Sequence, residues 1–276
     1  VNKAFMKISI SLAQISIEPN HLQKNFLKTT FYIEQARSLN AEILLFPEMW
    51  LTGFHGTYHR QYAQAILAAR DALGDLAKKH SLWIGGSLPY LHEDERMTNA
   101  FVLFNKEGSL AALYHKIHLF SPLQENESMS PGKELILHEF PWGKCGFAIC
   151  YDLRFPEMFR SYALQGVKVI FLTAAFPYPR LEHWKTLIRA RAIENQLYMV
   201  CVNRVGTEDF SHGGSQLFFG SSMIVNPWGD VITLGSETEE MLLTAELDLA
   251  IVDTIRHDIP IFKDRQPHVY NVTRKD

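Results

Sequence analysis

The chain has 276 residues, of which 47% are hydrophobic and 21% charged, with a formal net charge of −3. That length supports a substantial apolar core in one domain, and the composition is that of an ordinary soluble globular protein. Lysines and arginines are scattered rather than massed, which argues against a nucleic-acid partner, and neither a bilayer-length apolar run of roughly 20 residues nor a basic amphipathic helix points to a membrane.

Alternation in Lys7-Ile8-Ser9-Ile10-Ser11-Leu12-Ala13 predicts a strand. Leu22, Phe26 and Ile33 recur at near-helical spacing, predicting an amphipathic helix over 20–37. The apolar run 41–46 reads as a buried strand stopped by Pro47, and a helix over 62–79 leads into a strand at 82–87. Asn105-Lys106-Glu107-Gly108 marks a turn between strands 99–104 and 109–114, a hairpin signal. Strands at 145–150, 167–172 and 197–202 then alternate with helices after Pro156 and over 182–195. Two strands flank Asn226-Pro227-Trp228-Gly229-Asp230, and a last helix over 249–257 ends before Pro260. Interleaved strands and helices with inserted hairpins predict an α/β fold of mixed sheet content, and no linker interrupts a single domain over 1–276. The polar stretch 121–133 reads as a surface loop placed directly after a candidate site segment.

The three cysteines, Cys145, Cys150 and Cys201, are an odd number with no disulfide framework, which suits a reducing compartment. Residues 1–7 lack a basic segment followed by an apolar run and a small-residue cleavage site, so the cytoplasm is the expected location. Twelve histidines invite a metal reading; His55 and His59, and His115 and His118, have helical ligand spacings. With no His-Glu-x-x-His and no Cys-x-x-Cys, no metal is expected. Gly85-Gly86 and Gly213-Gly214 lack phosphate-loop spacing, and no Gly-x-Ser-x-Gly offers a serine nucleophile.

Three apolar runs end in polar residues, the place where ligands collect in open α/β sheets. They are Phe46-Pro47-Glu48, His115-Lys116-Ile117-His118-Leu119 and Ile149-Cys150-Tyr151-Asp152-Leu153-Arg154-Phe155-Pro156-Glu157. Singly, Glu48 reads as a cap or solvated charge, Lys116 as a solvated charge and Cys150 as an inert buried thiol. A thiol of pKa about 8.5 needs a base or a nearby cation to act at neutral pH. A carboxylate and an ammonium converging on Cys150 would supply both, but spacing alone does not show convergence.

Taken together and in order, these segments resemble the three signatures of the nitrilase superfamily. Companion stretches match as well: Arg189-Ala190-Arg191-Ala192-Ile193-Glu194-Asn195, Asn203-Arg204-Val205-Gly206 and Val225-Asn226-Pro227-Trp228-Gly229. The resemblance covers nearly the whole chain. It implies a four-layer αββα sandwich, usually a homodimer joined through a helical face, and a Glu–Lys–Cys triad carried onto Glu48, Lys116 and Cys150. It implies an amide-type C–N bond cut through a thioester with no metal or organic cofactor, Lys116 and the Tyr151 N–H stabilising the oxyanion. A second glutamate precedes a Pro-Gly pair in many members; Pro131-Gly132 favours Glu125, with Glu127 as the alternative.

The loop 174–184, with Tyr-Asp-Leu-Arg-Phe-Pro and Asn-Arg-Val-Gly, resembles the ω-amidase-type branch, whose members hydrolyse the terminal amide of short 2-oxo dicarboxylate monoamides. A desolvated substrate carboxylate needs a cation, for which Arg154 and Arg180 are the candidates. Phe176 stands where the nearest relatives carry Trp, and His183 and Trp184 shape the wall or pack. A true nitrilase, an N-carbamoyl amino-acid amidohydrolase and an aliphatic amidase use the same triad, so the small-molecule substrate stays open among them. A non-catalytic binding protein is the reading from another class.

Overall fold

The computed structural model describes residues 7–54, 56–210 and 213–270; His55 of the His55–His59 pair, and residues 1–6 of the N-terminal reading, lie outside the described residues. In chain order the strands are β1 (Lys7–Gln14), β2 (Ile43–Leu45), β3 (Trp83–Leu91), β4 (Met97–Phe104), β5 (Leu110–His115), β6 (Leu137–Phe140) and β7 (Gly143–Ile149). They continue as β8 (Val167–Ala174), β9 (Tyr198–Asn203), β10 (Val205–Phe210), β11 (Gly214–Phe219), β12 (Met223–Val225), β13 (Val231–Leu234) and β14 (Met241–Asp248). The helices are α1 (Leu22–Ser38), α2 (Gly56–Gln61), α3 (Ala63–His80), α4 (Glu125–Ser128), α5 (Pro156–Leu164), α6 (Leu181–Asn195), α7 (Ala250–Asp258) and α8 (Ile261–Asp264).

Among the described residues the strands form two six-stranded sheets, ordered β14-β1-β2-β3-β4-β5 and β13-β12-β9-β8-β7-β6, with β10 and β11 paired as a separate hairpin. Each large sheet has three parallel strands at its centre, β1-β2-β3 in one and β7-β8-β9 in the other, flanked by antiparallel neighbours. Parallel strands are buried on both faces, and β2 shows what that demands of a sequence. Ile43 and Leu45 enter the core shared by the two sheets, whereas Leu44 and Phe46 pack with Tyr32, Ile33 and Ala36 of α1 and Leu73 and Ala77 of α3. The alternation follows from the strand period of two.

Between the sheets, the Phe101 ring of β4 lies 4.9 Å from that of Phe147 on β7. The outer face of the second sheet is covered by α5 and α6 through Phe159, Tyr162, Trp184 and Ile188. Gly146 permits that contact, because a Cβ there would lie 2.8 Å from the Tyr162 ring. The layering is therefore helix, sheet, sheet, helix, as the resemblance implied.

Two expectations change. The strand at 145–150 ends at Ile149, and Cys150 instead opens a tight 3-10 turn, Cys150–Arg154, with φ +46°. Residues 121–133 are not a plain loop, since they contain a short turn at Ser121–Leu123 and α4. Phe147→Ala is expected to lower stability by about 3–5 kcal/mol, the usual cost of emptying a fully buried aromatic site. Urea denaturation reads this directly, and a loss under about 1 kcal/mol would show that the sheets do not depend on that contact.

Candidate active site

Glu48 stands just beyond β2, Lys116 just beyond β5 and Cys150 just beyond β7, so three strand ends aim at one place. Glu48 and Lys116 are both 1% exposed. The Lys116 ammonium donates to Glu48 Oε1 at 2.8 Å and to Glu125 Oε1 and Oε2 at 3.0 and 2.7 Å. Glu48 Oε2 accepts the Ala175 N–H at 2.9 Å. The Cys150 thiol lies 3.7 Å from the Ala175 carbonyl oxygen. Glu48, Lys116, Glu125, Cys150 and Ala175 all line one pocket. Of the two candidate glutamates, buried Glu125 meets the lysine, while Glu127 is exposed on α4.

Burial and charge set the proton affinities. Burial raises the Glu48 carboxyl above its ordinary range; Lys116 opposes the rise and Glu125 adds to it. Burial lowers the affinity of the Lys116 ammonium, but the charges of Glu125 and Glu48 override it, so the group is held cationic. The Cys150 thiol is pushed well above its usual value by burial and by the Glu48 charge, which outweigh Lys116. The resting site is thus a protonated thiol beside a carboxylate with an enhanced appetite for protons.

Several residues that hold this arrangement escaped the sequence reading. Asn99, on β4, donates through Nδ2 to Glu48 Oε1 at 2.8 Å and to Glu125 Oε1 at 3.1 Å, tying the two carboxylates together. Asp152 pins the cysteine turn: it accepts the Ile149 N–H at 2.9 Å, the Tyr114 hydroxyl at 2.8 Å and the His118 N–H at 3.1 Å. Asn203 accepts the Phe176 N–H at 2.7 Å and donates to the Phe176 and Gly220 carbonyls. Asp152 and Asn203 do stand inside recognised stretches, whereas Asn99 had no such signal. Tyr151 follows Cys150 in the same turn, its ring edge-on to Phe120 at 5.0 Å.

The pocket holds about 60 Å³, with walls of Phe54, Phe120, Leu123, Met129, Phe210 and Phe218. Among its described lining residues Lys116 is the only lysine or arginine. Arg154 instead meets both Phe176 and His183: the guanidinium lies 5.4 Å from the Phe176 ring centre and 3.3 Å from His183 Nδ1. None of the three lines the pocket, and buried Phe176 packs on Trp184. Arg180 sits 5.6 Å over the ring of Phe120, which does line it. His118 is bound to Asp152, and His115 to Thr98, so each member of that pair has a local partner. A far larger groove, about 930 Å³, runs beside α5 and α6 and contains none of the converging groups, so cavity size does not locate the chemistry.

Comparison with known proteins follows the same lines. The carbon-nitrogen hydrolase family profile matches residues 9–257. The chain is 35% identical over 266 residues to the 2-oxoglutaramate amidase of Bacillus subtilis (strain 168), covering 96% of this chain and 100% of that one. It is 34% identical over 280 residues to omega-amidase NIT2-A of Xenopus laevis, covering 98% and 99%. The crystal structure of the C. elegans NitFhit protein superposes with a TM-score of 0.87 at 32% identity, over 96% of this chain and 66% of that one.

The raised proton affinity of the thiol has an optical consequence. At neutral pH the ultraviolet difference spectrum between the protein and its Cys150→Ala variant is expected to lack a thiolate band, which should emerge only well into the alkaline range. A thiolate band already present at neutral pH would contradict the protonated resting state.

Proposed function

The chain belongs to the carbon–nitrogen hydrolase family of cysteine-dependent amidohydrolases, and from that premise we propose that it hydrolyses the terminal amide of a short 2-oxo dicarboxylate monoamide through a thioester on Cys150. The observation that carries the reading is one buried lysine bridging two carboxylates, with a thiol in the same small pocket.

In this proposal Glu48 takes the Cys150 proton as the sulfur attacks the amide carbon. Negative charge builds on the former carbonyl oxygen, where Lys116 and the Tyr151 N–H receive it; losing one such donor costs roughly a hundred- to a thousandfold in rate. Lys116 has three N–H bonds and three carboxylate oxygens within 3.0 Å, two of them on Glu125. One proton can therefore turn to substrate while Glu125 still holds the ammonium. Glu48 passes its proton to the leaving nitrogen, the C–N bond breaks and ammonia departs. Water, deprotonated by Glu48, then attacks the thioester and returns the thiol with release of the acid.

The names of the relatives support a 2-oxo amide, and Arg180, stacked on a pocket ring, is the cation we assign to the distal carboxylate. The apolar wall favours a second reading, a short uncharged aliphatic amide needing no such cation. We further propose a homodimer across the broad groove by α5 and α6, where Leu164, Ile193, Trp228 and Ile259 are all exposed and gathered together.

Ammonia release from 2-oxoglutaramate, 2-oxosuccinamate, glutamine, an N-carbamoyl amino acid, butyramide and a simple nitrile separates these readings. Turnover is expected on the 2-oxo amides, to vanish in Cys150→Ala, and in Arg180→Gln to show KM raised about tenfold or more with a smaller change in kcat, as for lost ground-state binding. Turnover confined to butyramide and untouched by Arg180→Gln would move the assignment to the aliphatic class. Light scattering after size exclusion is expected to give twice the chain mass, falling to a single mass in Trp228→Glu. A wild-type protein that elutes as a monomer would remove the dimer proposal.

A further inference from the structure

Arg204 follows β9 and Glu208 lies on β10, and both are buried, at 0% and 2% exposure. One carboxylate oxygen of Glu208 accepts from the Arg204 guanidinium. The other accepts the Phe54 N–H at 2.7 Å. Arg204 in turn donates to the Ile17 carbonyl at 3.0 Å and lies 4.4 Å over the Phe218 ring. The Phe54 and Phe210 rings are 5.7 Å apart. Phe54, Phe210 and Phe218, three rings of the pocket wall, are thus each tied to this pair: by an amide hydrogen bond, by a place two residues after Glu208 on the same strand, and by a cation over the ring.

We infer that Glu208, locked to Arg204, is a positioning residue that sets the aromatic wall of the pocket and thereby the size of acyl group admitted to Cys150. The inference rests on the reading of this pocket as the amide-binding site. Two charges are costly to bury, and an apolar pair of equal volume commonly holds a fold as well or better. An anion at this point does what an apolar group does not: it grips the guanidinium and the Phe54 amide together. Gly53 shows how closely the two segments meet. It has φ +70°, and a Cβ there would lie 2.7 Å from Glu208 Oε1. In a pocket of about 60 Å³, a small shift of the wall changes which acyl chains fit.

Two variants approach the contact from opposite sides: Glu208→Gln removes the charge, and Gly53→Ala pushes the turn off the carboxylate. The readout is the rate of Cys150 alkylation by iodoacetamide relative to its N-phenyl derivative, which requires no turnover. The protein is expected to favour the small reagent, and each variant to reduce that preference by about tenfold or more, at least the discrimination a pocket gains from one methylene. The iodoacetamide rate itself should fall by less than about threefold, and KM for whichever amide is hydrolysed should rise more than kcat falls. An unchanged preference in folded variants overturns the inference. So does a parallel change of both alkylation rates with buried Cys145 and Cys201 becoming labelled as well, the signature of a merely structural role. Should Glu208→Gln fail to fold, Gly53→Ala carries the test. A wild-type protein silent on every amide would count against the amidase reading, while the alkylation ratio still decides the role of Glu208.

Discussion

An ammonium buried between two carboxylates is the constraint on which the site depends. Lys116 and Glu48 are taken almost wholly out of water, and such groups persist only when charge and hydrogen bonds are closely matched. Three neighbouring groups answer that demand. Asn99 donates to both carboxylates, the Phe120 N–H donates to Glu125 and the Ala175 N–H to Glu48. Burial, with the Glu125 charge and against the pull of Lys116, makes Glu48 a better proton acceptor than an exposed carboxylate, which is what a base facing a thiol requires.

The three thiols show why environment alone does not identify a nucleophile. Burial pushes up Cys145, Cys150 and Cys201 alike. Cys145 and Cys201 sit on central strands of the second sheet, packed among apolar side chains. Cys150 differs by leaving the strand in a left-handed conformation, with Asp152 fixing the turn and a carboxylate and an ammonium around the pocket. A non-glycine residue held at positive φ stores strain, and such strain gathers at functional sites.

Much of the fold was legible because its central strands are continuous apolar runs, as with β2 and β8, and α1 was legible from Leu22, Phe26 and Ile33 even though its packed face also takes in Asn25 and Thr29. β14 was not, since its charged Glu246 and Asp248 lie on an edge and blur the pattern. The hairpin β10–β11 was also missed: Val205-Gly206-Thr207-Glu208-Asp209-Phe210 is rich in polar residues and has no long apolar stretch, yet it supplies two rings of the pocket. Glu48, Lys116 and Cys150, which converge on one pocket, were legible as candidates because each follows an apolar run and matches a known signature. Asn99 was not, because it sits inside β4 among apolar neighbours and its role comes from a fold that brings Glu48 and Glu125 to it. Arg154 and His183, named from a sequence neighbourhood, turn to each other, a preference that spacing along a chain does not encode.

The hydrogen bond from Ala175 to Glu48 spans 127 residues of chain, and that from Arg204 to Ile17 spans 187. No local segment holds the machinery, and closing such long loops comes at an entropic cost that only a nearly complete core repays. During synthesis β1 to β5 emerge with Glu48 and Lys116 but without Cys150, which follows before the hairpin that walls it in, and β14, the remaining strand of the first sheet, comes after both. The setting of Cys150 is therefore assembled late: Glu48 and Lys116 follow strands of the first sheet and Cys150 a strand of the second, so the three meet only once both sheets are in place.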